Sequence, residues 1–224
     1  MRWGAIVVAA GRGTRFGRPK QLVELAGRPM LAWSLQTFAA MPEIEEIVVV
    51  TEGAWIDAVR DLAASVAAPR LAAVVPGGET RQRSVRCGLD ALSSACDAVL
   101  VHDGARPLVR ADDVRAGMRA VRAGRAAVLA APVIDTIKCV DPQTMLVRST
   151  LDRSVLWAAQ TPQFAMREAL VRAHDAAERS AREATDDVAL LEAIDVEVEI
   201  VPASAENFKV TLPDDVLRAE AHLR

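Results

Sequence analysis

Three glycines and four cations crowd one short stretch, Gly11-Arg12-Gly13-Thr14-Arg15-Phe16-Gly17-Arg18-Pro19-Lys20. Glycine lets a backbone approach phosphate oxygens closely and turn its N–H groups toward them, while Arg and Lys supply countercharge. The stretch follows the apolar run Ala5 to Ala10 (AIVVAA), which predicts a buried parallel strand. Ligands of open parallel sheets bind beyond the carboxyl ends of the strands, so the phosphates of a nucleotide are the expected guest. The stretch is neither a Walker loop nor a complete GxGxxG fingerprint, which weakens kinase-like and dehydrogenase-like chemistry. A GxG alone would be a solvated turn, but Arg12, Arg15, Arg18 and Lys20 bunched at a strand end favour phosphate binding.

Two further strand ends carry polar residues. Gly77-Gly78-Glu79-Thr80-Arg81-Gln82-Arg83-Ser84 offers main-chain amides to a base edge and a hydroxyl, Ser84, in a first helical turn. Standing alone, it would equally be a turn before a capped helix. His102-Asp103-Gly104-Ala105-Arg106-Pro107 ends a buried apolar strand. A carboxylate there is costly unless it meets a cation or a metal, so Asp103 is expected to contact a metal or a substrate hydroxyl. Arg106 is the simplest partner for it, and His102, without partner histidines, is more often a packing residue than a base. Thr136, Arg153, Trp157, Phe164, Thr185-Asp186-Asp187 and Lys209 stand in segments that are individually weak signals. Trp157 and Phe164 suit a core or interface, and Lys209 suits a solvated face.

The elements that must position these residues alternate regularly. Strands are expected over Ala5 to Ala10, Ile47 to Val50, Leu71 to Val75, Ala98 to Val101, Ala126 to Pro132 and Val196 to Val201. Helical patterns follow Pro29 and cover Trp55 to Val66, Gln82 to Leu92, Met166 to Ala181, Asp186 to Ala193 and Pro213 to Leu223; another follows Asp112-Asp113, expected as its N-cap pair. Strands separated by helix-length segments predict βαβ units, hence an α/β, Rossmann-like, mostly parallel sheet with helices on both faces. Between about 133 and 155 the period shortens to β-like pieces around Asp141-Pro142, which predicts a projecting hairpin arm.

At 224 residues the chain fits a single domain, 1–224. With 51% hydrophobic and 25% charged residues it can bury a core. A net charge of -3 offers no broad basic face, so no nucleic-acid partner is expected. No apolar stretch reaches the ~18 residues of a membrane span, so no membrane partner is expected either. Three cysteines without a CxxC pair, and a start lacking an apolar leader, point to a reducing cytoplasm.

Taken in order, AAGRGTR, PKQ, GGETRQRSV, HDGARP, APVIDTIK, LWAAQTPQF, TDD and NFKVT resemble the 2-C-methyl-D-erythritol 4-phosphate cytidylyltransferase family nearly end to end. The resemblance implies a nucleotidyltransferase of the non-mevalonate isoprenoid pathway, with CTP and a polyol phosphate as substrates, Mg²⁺ as cofactor, and a homodimer that exchanges its β-arms. It implies that Arg15 and Lys20 stabilise the α-phosphate in the transition state and that Arg153 and Lys209 hold the acceptor's phosphate. Ala10, Gly11 and Gly13, with Gly78, Glu79 and Ser84, fall where the family contacts CTP, the last three at cytosine. Asp103, Arg106 and Thr136 fall where it contacts acceptor or metal, and the arm carrying Thr136 and Arg153 is implied to serve the partner's site. Asp187 stands where some members carry Glu, so the resemblance speaks for Asp186 more than for Asp187. The alternatives are a ribitol 5-phosphate cytidylyltransferase, which the AAG, APVIDTIK and LWAAQTPQF segments disfavour, and a non-catalytic nucleotide-binding homologue, which retention of all four cations disfavours.

Overall fold

The computed structural model describes residues 1–11 and 20–223, with Lys20 by its backbone alone. In chain order the elements are β1 (Trp3–Ala9), β2 (Glu24–Leu25), β3 (Arg28–Pro29), α1 (Met30–Ala39), β4 (Ile44–Thr51), α2 (Ile56–Ala67), β5 (Leu71–Pro76), α3 (Arg81–Ala91) and β6 (Ala98–Asp103). They continue as α4 (Ala111–Ala120), β7 (Arg125–Pro132), β8 (Lys138–Val140), β9 (Val147–Thr150), β10 (Trp157–Met166), α5 (Arg167–Arg179), α6 (Asp187–Glu192), β11 (Glu197–Pro202) and α7 (Asp214–Ala221).

Among the described residues, seven strands form the main sheet in the order β11-β7-β10-β6-β1-β4-β5. Side chains alternate across a strand, and the central strand β1 feeds both cores accordingly. Its Trp3, Ala5, Val7 and Ala9 pack with Leu31, Leu35 and Phe38 of α1, Val59 and Ala63 of α2, and Val114 and Met118 of α4. Its Ile6 packs on the opposite face with Val85 and Leu89 of α3, Leu170 and Ala173 of α5, and Leu190 and Leu191 of α6. Helices on both faces are thus a consequence of apolar runs buried from both sides. At Gly88 a Cβ would come within 2.5 Å of Ile6 Cγ2, so only glycine lets α3 sit this close to β1.

The order of the strands places the site. The neighbours of β1 are β4 on one side and β6 on the other, both parallel to it. The chain therefore runs to opposite sides of β1, and a crevice opens beyond the carboxyl ends of β1 and β6.

Two details depart from the sequence pattern. The segment containing Trp157 and Phe164 is a strand, β10, which inserts antiparallel between β6 and β7. It carries a register irregularity between Ala159 and Gln163 where the Thr161–Pro162 peptide is cis. Asp112 and Asp113 are not the N-cap of α4: Arg110 is, and both carboxylates lie in the first turn, where the helix dipole also favours them. The expected hairpin is present as β8 paired antiparallel with β9. It exposes an unusual amount of apolar surface, with Ile134 and Val155 each 74% and Met145 70% accessible.

Candidate active site

The crevice is a cleft of about 740 Å³, within the size range of nucleotide and small-ligand sites. One wall is the end of β1, Ala9-Ala10-Gly11, and the other is Gly77-Gly78-Glu79-Thr80 leading into Arg81 and Ser84 of α3. Asp103, Ala105 and Lys209 close it on the β6 side, and Glu52 and Gly53 on the β4 side.

Local sequence builds the α3 wall. The Thr80 side chain caps the helix by accepting from the Arg83 amide at 3.1 Å, and Ser84 Oγ donates to the Thr80 carbonyl at 2.9 Å. A Cβ on Gly77 would meet the Ala10 Cβ at 2.5 Å and Ser84 Oγ at 2.7 Å, so glycine is what allows the two walls to meet at the base of the cleft.

Asp103 is the electrostatic centre. It ends β6, is 7% exposed, and among the described residues pairs with three cations, Arg81 and Lys209 from distant parts of the chain and Arg106 from the turn just after the strand. Arg81 Nε donates to Oδ1 at 3.1 Å and Lys209 Nζ to Oδ2 at 2.8 Å; Arg106 Nε stands 3.9 Å from Oδ2. Burial alone would push the Asp103 carboxyl up, but Arg81 and Lys209 outweigh it and hold the group well below the usual carboxylate range. Arg81 in turn donates from Nη1 to Asp187 Oδ2 at 2.7 Å. Burial pulls the Arg81 guanidinium down, yet the two carboxylates more than compensate and raise its pKa, so it is permanently charged.

The strap that carries Lys209 is anchored by buried polar residues. Asn207 Nδ2 donates to Gln160 Oε1 at 3.0 Å and to the Thr161 carbonyl at 2.9 Å, while Arg106 Nη1 donates to the Asn207 carbonyl at 2.7 Å. The Val210 amide donates to the Ala105 carbonyl at 2.9 Å, so the strap returns across the end of β6. Gln160, Thr161 and Gln163 all come from the irregular part of β10 and are buried. Gln163 Nε2 donates to Asp186 Oδ2 at 3.0 Å, and its Oε1 accepts from the Asp187 amide at 2.8 Å.

The structure therefore brings Ala10, Gly11, Gly78, Glu79, Ser84, Asp103 and Lys209 to one cleft. Arg106 braces Asp103 and the Lys209 strap. Gly13 and Arg15 lie outside the described residues, as does the side chain of Lys20, whose backbone opens a short 3-10 turn, Lys20–Leu22. Thr136 and Arg153 sit on the arm and do not line the cleft of their own chain; Arg153 Nη1 donates to the Ile134 carbonyl at 2.6 Å. Of the aspartate pair, Asp186 caps α6 by accepting from the Ala189 amide, and Asp187, not Asp186, reaches the cleft cation Arg81. Arg81, Thr161 and Asn207 build or brace the site without being singled out by the sequence pattern, and Asp187, which the resemblance ranked below Asp186, joins them. A cation at the first position of the helix that follows Gly77-Gly78 is the one signal that could have found Arg81.

Residues 4–224 match the model of the family described as 2-C-methyl-D-erythritol 4-phosphate cytidylyltransferase. The protein of that name from Streptomyces avermitilis is 44% identical over 232 residues, covering 99% of this chain and 92% of its own. That from Prochlorococcus marinus is 42% identical over 218 residues, covering 96% of each chain. Among solved structures, the 4-diphosphocytidyl-2C-methyl-D-erythritol synthase of Anaerococcus prevotii aligns with a TM-score of 0.88 at 30% identity, covering 99% of this chain and 98% of its own. The 2-C-methyl-D-erythritol 4-phosphate cytidylyltransferase of Thermus thermophilus aligns with a TM-score of 0.78 at 31% identity, covering 98% of both.

Proposed function

The chain belongs to the 2-C-methyl-D-erythritol 4-phosphate cytidylyltransferase family, and from that premise we propose that the cleft around Asp103 is where it joins its two substrates. The enzyme transfers CMP from CTP to 2-C-methyl-D-erythritol 4-phosphate, giving 4-diphosphocytidyl-2-C-methyl-D-erythritol and pyrophosphate. The relatives' names favour this acceptor over ribitol 5-phosphate.

The observation that carries the assignment of the cleft is the convergence of Lys209 and Arg81 on one buried carboxylate beside two glycine-rich strand ends. An acceptor phosphate oxygen attacks the α-phosphorus of CTP; the new P–O bond forms as the bond to the β-phosphate breaks and pyrophosphate leaves. A phosphate monoester loses its second proton near pH ~6, so the attacking group is already mostly dianionic at neutral pH and needs no general base. His102 is no base in any case, since both ring nitrogens are engaged inside the protein. The barrier is repulsion between two anions and charge building on the α-phosphate, which preorganised cations relieve in a water-poor cleft. Arg15 and Lys20 are assigned to the α-phosphate, Lys209 and Arg153 to the acceptor's phosphate, and Gly78, Glu79 and Ser84 to cytosine.

A divalent ion fits this site through one carboxylate. Each Asp103 oxygen accepts a single hydrogen bond from the surrounding cations and so keeps a lone pair. Among the described residues no three His, Cys, Asp or Glu side chains gather as a cage, so CTP phosphate oxygens and water would complete the shell, as is usual for Mg²⁺. Bound there, Mg²⁺ would spread the negative charge of the triphosphate.

The same reading takes the chain as one nucleotidyltransferase domain and the arm as the contact of a homodimer. Supporting the second point, the arm displays Ile134, Met145, Leu146 and Val155 to solvent and keeps Thr136 and Arg153 away from their own cleft. No helix among the described residues is long and apolar enough to cross a membrane, and the thiols of Cys87, Cys96 and Cys139 are free, which supports a cytoplasmic setting.

The test is a substrate panel: CTP, UTP and GTP against 2-C-methyl-D-erythritol 4-phosphate and ribitol 5-phosphate, with and without Mg²⁺, following pyrophosphate. Release is expected to be fastest with CTP and the methylerythritol acceptor and to cease in EDTA. Tight CTP binding with no pyrophosphate from any pair would overturn the assignment in favour of a binding protein.

A further inference from the structure

Behind the α3 wall lie two buried side chains that the chemistry above does not use. Asp187, 2% exposed, opens α6, and His174, 3% exposed, faces it from α5. His174 Nε2 stands 3.6 Å from Asp187 Oδ1, longer than a hydrogen bond, and neither atom has a hydrogen-bond partner among the described residues. The other oxygen, Oδ2, accepts from Arg81 Nη1, and the Asp187 amide is fixed by Gln163. A continuous line thus runs from α5 to the cleft: His174, Asp187, Arg81, Asp103.

A carboxylate buried this deeply adds little to stability, because desolvation offsets its attraction to a partner and apolar packing would do as well. What an apolar side chain at 187 cannot do is orient a guanidinium. With Asp103 as its only acceptor, Arg81 would be free to swing its outer N–H groups toward a triphosphate in the cleft and leave Asp103 behind. Held from the rear at Nη1, Arg81 keeps Nε on Oδ1 of Asp103, which leaves Oδ2 turned to Lys209.

We propose that Asp187, backed by His174, is a positioning residue for the transfer: it holds Arg81 against Asp103 and thereby keeps Asp103 and Lys209 aligned for the acceptor. The proposal rests on the function assigned above.

The experiment is steady-state kinetics on the purified full chain with CTP and 2-C-methyl-D-erythritol 4-phosphate, alongside thermal denaturation. Asp187→Asn is expected to lower kcat/KM for the acceptor about 10- to 100-fold while the KM for CTP stays within about twofold, as small misplacements of reacting groups do. Asp187→Glu, which keeps the charge, recovers most of the loss. His174→Leu touches no cleft residue and is expected to cost about tenfold, with His174→Gln, which keeps a polar N–H beside Asp187 Oδ1, recovering it. If Asp187→Asn does not fold, the His174 pair decides the question. A lowered Tm with unchanged constants, or equal losses for CTP and acceptor, would make the pair purely structural and overturn the proposal. A parent chain without turnover on any acceptor refutes the assigned function and takes this proposal with it; an active parent with unchanged variants sinks the proposal alone.

Discussion

The hydroxyl of Thr161 lies 3.1 Å from Nδ1 of His102 and also accepts the Asp103 amide at 3.0 Å. The Arg106 carbonyl, 3.0 Å from Nε2, can only accept, so the histidine carries its proton on Nε2 and donates it there, which leaves Nδ1 to accept the proton of the Thr161 hydroxyl. The ring is fully buried and edge-on to Phe38, with centroids 5.0 Å apart. His102 is thus a neutral strut beneath the site, and Thr161 ties the antiparallel strand to the end of β6.

Replacing Thr161 by valine keeps the shape and removes both bonds. Leaving a buried amide and a ring nitrogen unpaired costs about 1–3 kcal/mol each. Urea denaturation should therefore show Thr161→Val destabilised by at least about 2 kcal/mol and Thr161→Ser by less than about 1 kcal/mol. Equal stabilities for the two variants would contradict the arrangement.

Burial lowers the His102 pKa from 6.5 to about 4. The unfolded chain therefore binds a proton between these values that the folded chain refuses. Stability from this group is fully present above pH 6.5 and is lost as pH falls toward 4, at up to about 1.4 kcal/mol per pH unit. A series of denaturation midpoints should fall across this window, and His102→Gln should flatten it. A parent curve level from pH 6.5 to 4 would refute the claim.

The central parallel strands are legible in the sequence because each is a short apolar run bounded by loop residues, with Gly11 just beyond β1 and Asp103 ending β6 at the crevice. β10 is not, for a physical reason. Its first three residues are exposed, the next six are buried on both faces, and Pro162 interrupts it, so neither an alternating nor a continuous apolar pattern survives. Asp103 and the glycine-rich loop stand out because charge and glycine are conspicuous at strand ends, whereas Lys209, in the loop between β11 and α7, is marked by the family resemblance alone and reads by itself as a solvated lysine. Arg81 and Asp187 do not stand out, because an arginine after a capping threonine resembles any solvated first-turn residue until its partner, 106 positions away, is in place.

Arg15 and Lys20 are expected to act on the transition state rather than on binding. Substituting either by alanine should lower kcat by about 10²-fold or more with a much smaller change in KM for CTP, as for the loss of an oxyanion donor. Arg153→Ala should instead raise KM for the acceptor and spare CTP. Stopped-flow and steady-state assays of each variant separate the two patterns, and an unchanged kcat removes the residue concerned from the mechanism.

If each arm completes the other subunit's cleft, Lys20→Ala and Arg153→Ala should complement one another. Each mixed dimer would contain one cleft with both side chains intact, so unfolding and refolding the two impaired proteins together should, at limiting acceptor, give more turnover than the sum of the two alone. Leu146→Glu, on the exposed arm, should shift sedimentation toward the monomer and abolish activity. No gain on mixing, with mixed dimers demonstrated, would place Arg153 in its own subunit's cleft.

The insertion of β10 between β6 and β7 also sets an order of birth. As the ribosome releases the chain, β1, β4, β5 and β6 can assemble at once, giving Asp103 its Arg81. β7 has no neighbour until β10 and β11 have emerged, and Thr161, Asp187 and Lys209 arrive with or after them. The side of the crevice built by Arg81 and Asp103 is therefore encoded first, and the side carrying Lys209 is completed by the last portion translated.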